Sequence, residues 1–237
     1  VLLARQNRFR VEAEVVRDLA LAASGLLNPG MGGPSVRPGQ PAGVSELTYA
    51  GSARWVESTG ADRYRRGMYT WFQRTSPFPM LMTFDAPESN VTCTRRERSN
   101  TPLQALTLLN DPTFVECAQA LGRRVMREQP SDHESRIASL FALCLSRAPS
   151  HEEQQTLNSL LVDFRSSLTS DPAQVGRLID ERPGSTASAP LDKTADDPPA
   201  ATTGTGDLLP DEQRIELAAT IALARVVLNL DEFMTRE

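Results

Sequence analysis

Two dipeptides near the middle of the chain, Thr101-Pro102 and Asp111-Pro112, constrain its fold more than any other feature. Each sets a capping side chain directly before a proline, and proline at the first helical position sacrifices no hydrogen bond and already has a helical φ. Two consecutive helices are therefore expected, about Pro102 to Leu109 and about Pro112 to Arg127. The second carries Phe114, Ala118, Leu121 and Val125 on one face. The pattern continues beyond them. Ile137, Leu140, Phe141, Cys144 and Leu145 recur at i, i+3, i+4, i+7 and i+8 within a helix of about Asp132 to Ser146. Ser150 and Glu153 are the two halves of a capping box for a fourth helix, with Leu157, Leu160, Leu161, Phe164 and Leu168 as its buried face. Four striped helices joined by short links make a bundle.

The flanks are less regular. Val16, Leu19, Ala20, Ala23, Leu26 and Leu27 predict a first helix from about Val11 to Leu27, ended by Asn28-Pro29-Gly30. The following MGGPSVRPGQPAG, rich in glycine and proline, is an irregular loop. Val44 to Val56 reads as strand or coil, and Arg66 to Arg74 as a short helix or strand, interrupted by Pro77 and Pro79. Pro183 to Gly206 has a single large apolar residue and no aromatic, too little to offset ordering entropy, so disorder is expected there. A closing helix from about Pro210 to Leu228 is apolar around much of its circumference and should dock into the core. The fold class that follows is mainly α, with an irregular arginine- and aromatic-rich N-terminal half packed on a C-terminal helical bundle. We expect one domain over residues 1–237: a helix plus loop-rich part over 1–100, the bundle over 101–180, a disordered insertion over 183–206 and a closing helix over 210–237.

With 237 residues, 40% of them apolar and 23% charged, the composition is that of a globular chain. No apolar run approaches the roughly 18 residues of a membrane-spanning helix, and the N-terminus lacks the regions of a signal peptide. Beginning at Val1, the chain reads as a fragment or processed product. The net charge of −5 conceals an asymmetry: residues 1–98 hold 13 Arg against 9 acidic residues, and the remainder holds 12 basic against 21 acidic residues. Mutual attraction of the halves is the plain reading, with an anionic ligand on the basic half as the other. Lys193 is the only lysine, and arginine supplies the planar fork that suits ion pairs with carboxylates. Cys93, Cys117 and Cys144 show neither metal-ligand spacing nor a disulfide framework. Cys117 and Cys144 fall on helical apolar stripes as core residues, whereas Cys93 lies in a polar loop.

Arginines and aromatics concentrate between Arg63 and Asp111. Arg95, Arg96 and Arg98, with Arg63, Arg65 and Arg66, interleave with Tyr64, Tyr69 and Trp71, a combination that suits phosphates or acidic sugars. Neighbouring Asp62, Asp85, Glu88 and Glu97 offer internal pairing instead, and an acidic chain argues against nucleic acid. Asp85 and Glu88 are the weak catalytic candidates, being two carboxylates three residues apart, although an Asp before Ala-Pro-Glu-Ser-Asn also reads as a turn cap. His133 and His151 sit in solvated first turns of helices, and no metal site is expected.

LLARQNRFRVEAEVVRDLALAASGLL, GGPSVRP, DRYRRGMYTWFQRTSPFPMLMTFDAPESNVTCTRRERSNTPLQALTLLNDPTFVECAQAL and ARVVLNLDEFMTRE together resemble the C-terminal domain of unknown function of PSD-type planctomycete proteins, which also carry a cytochrome-c-like domain. That resemblance implies an exported or periplasmic multidomain parent whose covalent haem c resides in a separate N-terminal part. This chain contains no CxxCH and is expected to hold no cofactor. The candidate binding residues are Arg65, Arg66, Tyr69, Trp71, Arg74, Arg95, Arg96 and Asn100. The leading expectation is a non-catalytic structural or binding module whose partners are other domains of the parent or a polyanionic glycan, with no nucleic acid and no membrane span. The competing one is a carbohydrate-active hydrolase domain using Asp85 or Glu88.

Overall fold

The structure, a computed structural model, describes residues 8–41, 55–129, 132–180 and 209–236. It is mainly helical. In chain order the helices are α1 (Ala13–Ser24), α2 (Pro79–Thr83), α3 (Pro102–Asn110), α4 (Pro112–Glu128), α5 (His133–Leu145), α6 (His151–Ser170), α7 (Pro172–Asp180), α8 (Asp211–Leu228) and α9 (Asp231–Met234). Single turns of 3-10 helix at Gly60–Tyr64 and Gly67–Tyr69 punctuate the arginine-rich segment. Two short strands, β1 (Phe9–Arg10) and β2 (Thr235–Arg236), pair antiparallel in the register Phe9 to Arg236 and Arg10 to Thr235.

Local capping sets where the helices begin. Gln104 Oε1 accepts the Thr101 N–H at 3.3 Å, and Asp111 Oδ1 accepts the Thr113 N–H at 2.9 Å. Asp132 accepts from Glu134 and Ser135, while Ser150 and Glu153 satisfy each other's backbone N–H groups at 3.2 and 2.7 Å. Left-handed residues, Gly25 after α1 and Ser146 after α5, end two of the helices. Within the span expected for the bundle, the structure adds a helix that the sequence reading did not single out: α7 starts at Pro172, with Asp171 accepting the Ala173 N–H at 3.2 Å. Residues 183–206 and most of Val44 to Val56 lie outside the described residues, so the expectations for them stand apart from the fold.

One hydrophobic core runs through the helices. Helix α8 is its axis, buried from Leu217 through Thr220 and again at Ile221, Leu223, Ala224, Val227 and Leu228. The α4 face of Phe114, Cys117, Ala118, Leu121 and Val125 meets it, and α1 adds Val16, Ala20 and Leu21. Removing each large side chain from water contributes about 1.5–3 kcal/mol, so this axis dominates stability. Gly122 marks the closest crossing of α4 and α8: a Cβ there would lie 2.6 Å from Ile221 Cγ1 and 3.2 Å from its backbone. Among the described residues, no helix is long and apolar enough to cross a membrane.

Candidate functional site

The arginine-rich segment wraps α1, and the helix has a reason to be wrapped. The stripe Ala13, Val16, Arg17, Ala20, Leu21 and Ser24 is buried, so Arg17 enters the core side of the helix with its guanidinium. There Nη2 donates to the Arg63 carbonyl at 2.8 Å and Nη1 donates to that of Arg65. A buried cation is costly unless its donors are met, and here carbonyls of the arginine-rich segment meet both terminal nitrogens while Nε stays buried without a partner. Gly67 then closes the contact. Its N–H donates to Asp18 Oδ1 at 2.6 Å, and a Cβ on it would lie 2.7 Å from the Glu14 carbonyl oxygen, so only glycine allows the segment this close.

The solvent side of α1 is paired as completely. Arg66 Nε donates to Asp18 at 3.2 Å, Arg96 bridges Glu12 and Glu14 at 3.0 and 2.8 Å, and Arg98 reaches Glu12 at 2.7 Å while lying over the Phe9 ring. These two arginine partners hold Glu12 below the usual carboxylate range, the Arg98 hydrogen bond contributing most. At the C-terminal end of α1, Arg124 of α4 donates to the Ala23 carbonyl at 3.0 Å.

Arg65 performs the corresponding task for the glycine- and proline-rich loop. Buried, it stacks on Tyr69 at 3.9 Å from the ring centroid and donates to the carbonyls of Pro34 at 2.7 Å and of Gly32. The Tyr69 hydroxyl accepts the Gly32 N–H at 2.7 Å. Backbone bonds from Val36 to Tyr69 and from Trp71 to Val36, at 2.8 and 2.7 Å, complete the seam, and Arg37 packs over Trp71 at 4.2 Å. Half-buried Trp55 joins by stacking on Phe78 at 5.5 Å. Arg63 is shared between Glu57 and Glu116, the latter at 3.2 Å on α4.

Asp85 is a hub. Held in a left-handed conformation (φ 63°), its carboxylate pairs with buried Arg10 and accepts the Ser99 N–H and hydroxyl at 2.8 and 2.9 Å, with Gln104 Nε2 at 3.4 Å. Burial pushes its pKa up, but the Ser99 hydrogen bonds and Arg10 outweigh this and hold it below the usual carboxylate range. It ties β1 to the end of α2 and to the turn before α3. Its two oxygens are occupied by framework contacts, which suits positioning and ill suits an acid or base. Glu88 and Arg74 lie exposed at an open cleft of about 480 Å³ that Asp85 also lines. Arg95 and Asn100 are exposed as well, Arg95 beside Arg96 and Arg98 at a second cleft of about 740 Å³.

The binding residues singled out from sequence therefore divide. Arg65, Arg66, Tyr69, Trp71 and Arg96 are engaged by other residues of the α1 clamp and its loop, Arg96 at the surface, while Arg74, Arg95 and Asn100 face solvent. Sequence reasoning passed over Arg10, Arg17, Asp18 and Gly67. For Arg17 a signal existed, since it stands on the apolar stripe of its own helix. Among the described residues, no cluster of His, Cys, Asp and Glu could hold a metal ion. Cys117 and Cys144 are buried thiols pushed up to about 12 by desolvation, and Cys93 is exposed. A second, partly buried cluster, with Glu216 of α8 accepting from Arg136 at 2.6 Å and lying 3.0 Å from Arg165 and 3.1 Å from His133 Nδ1, locks the bundle.

No curated protein and no solved structure matches the chain. A family model does match residues 1–161, a span that includes α1, the whole arginine-rich segment and the first half of the bundle. The chain accordingly belongs to the PSD1 family, described as protein of unknown function (DUF1553).

Proposed function

We propose that this chain is a non-catalytic structural or binding module of a larger exported, cytochrome-c-associated planctomycete protein, and that its arginine-rich segment is a clamp fixing α1 to the helical bundle. The observation that carries the reading is the use of the arginines: Arg17 and Arg65 are buried and donate to backbone carbonyls, while Arg10, Arg63, Arg66, Arg96 and Arg98 each meet a carboxylate of the same chain. Groups committed in this way define a shape, and the work left for them is positional. In this reading, exposed Arg95 and Asn100 face another domain of the parent or a polyanionic glycan, and covalent haem c belongs to a separate domain of the parent.

The test is the double variant Arg65→Ala, Arg95→Ala in the intact parent protein. The expected result is a lowered melting temperature, from the first change, together with weakened domain assembly or glycan retention, from the second. Unchanged melting and unchanged assembly would remove the proposal.

A further inference from the structure

The 480 Å³ cleft near the end of α2 uses its charges differently from the clamp around α1. Arg74 lines it, and its Nε donates to Asn90 Oδ1 at 3.4 Å, which orients the guanidinium. Its terminal amino groups meet no hydrogen-bond or ion-pair partner among the described residues, and neither does the Glu88 carboxylate on the same cleft. The third charge there, Asp85, is already neutralised by Arg10 and by its hydrogen bonds to Ser99. What remains is one positive and one negative pole, unpaired with each other, in a cleft that Pro77, Met82 and Ala86 also line. The wall is preset, because Asp85 and Ser89 both adopt left-handed conformations and the Ala86 N–H is fixed on the Leu81 carbonyl at 2.9 Å.

We propose that this cleft binds a small zwitterion carrying a free ammonium and a free carboxylate, an α-amino acid or short peptide, with the carboxylate on the Arg74 fork and the ammonium on Glu88. A guanidinium with its Nη edge free presents two parallel donors to a carboxylate, and an ammonium matches the acceptor-only Glu88. A polyanion would gain Arg74 but meet Glu88 with like charge, so the pairing selects against it. The volume falls within the range of small-molecule sites, and the apolar lining of Pro77, Met82 and Ala86 suits the carbon skeleton. Neither Arg74 nor Glu88 belongs to the α1 clamp, so this site stands or falls separately from that reading.

The experiment is an NMR titration of the full chain with alanine, Ala-Ala, N-acetylalanine and alaninamide, and with maltose as a neutral rival. The expected result is that alanine or Ala-Ala shifts the amides of residues 74 and 88–90, the stronger of the two identifying the free amino acid or the peptide as the source. Each singly capped probe should bind on the order of tenfold more weakly, the loss of one charged contact. Glu88→Gln should abolish the discrimination against N-acetylalanine while leaving that against alaninamide, and Arg74→Gln should do the reverse. Absence of cleft shifts with either zwitterion, equal binding of the capped probes, or a stronger response to maltose would overturn the proposal.

Discussion

Arg17, Gly67 and Asp111 show how single residues set the terms for their surroundings. Gly67 is needed for closeness, since its added Cβ would strike the α1 backbone at 2.7 Å. Gly67→Ala should therefore destabilise the fold by about 1–3 kcal/mol in urea unfolding. Gly176→Ala, on α7 with open space around the new methyl, should stabilise it by about 0.5–1 kcal/mol through helix propensity. Asp111 caps α4 while almost fully buried, and desolvation, reinforced by Glu57 and only partly offset by Thr113 and Arg17, raises its pKa to about 6. An acid whose folded pKa is raised binds protons more tightly when folded, so stability falls as pH rises from about 4 to 6, and the full penalty persists above that. Asp111→Asn keeps the cap and removes the penalty. Its stability relative to wild type should climb from near zero at pH 4 to about 1–3 kcal/mol at pH 7, measured by urea midpoints across that range.

At the scale of elements, the caps that could be read from sequence are the ones whose partners lie within three residues. Asp111 and the Ser150–Glu153 box were legible because each satisfies its own helix start. Helix α7 carried the same signal in Asp171-Pro172 but too short an apolar stripe to stand out, with only Val175 and Ile179 buried among its described side chains. The β1–β2 pairing could not be read, because two-residue strands have no periodicity and their partners stand at opposite ends of the chain. The clamp was half legible. Its arginines announced a charged surface, yet which carboxylates they meet depends on α1 lying against Gly67 and Asp18, a tertiary contact with no local trace. Asp85 is where this matters most. Asp85→Ala would leave Arg10 buried without its counter-charge, and a loss of about 2–4 kcal/mol is expected in chemical denaturation.

For the whole molecule, the arginines of the basic N-terminal half pair mostly with carboxylates of that same half. Arg66, Arg96 and Arg98 pair with Asp18, Glu12 and Glu14, and Arg63 reaches across to Glu116 of α4. The helical core and the clamp thus carry separate duties: α4 and α8 form the axis of the apolar core, and the arginines fix how α1 and its loop sit on it. That separation is the central claim, and it is tested most directly by comparing the unfolding free energies of Arg65→Ala and Arg95→Ala under identical conditions. Arg65→Ala is expected to lose about 2–4 kcal/mol, since it removes a buried guanidinium that stacks on Tyr69 and ties down the Gly32 and Pro34 carbonyls, while exposed Arg95→Ala stays within about 0.5 kcal/mol of wild type. Equal effects of the two, or an Arg65→Ala protein as stable as the parent, would contradict the clamp.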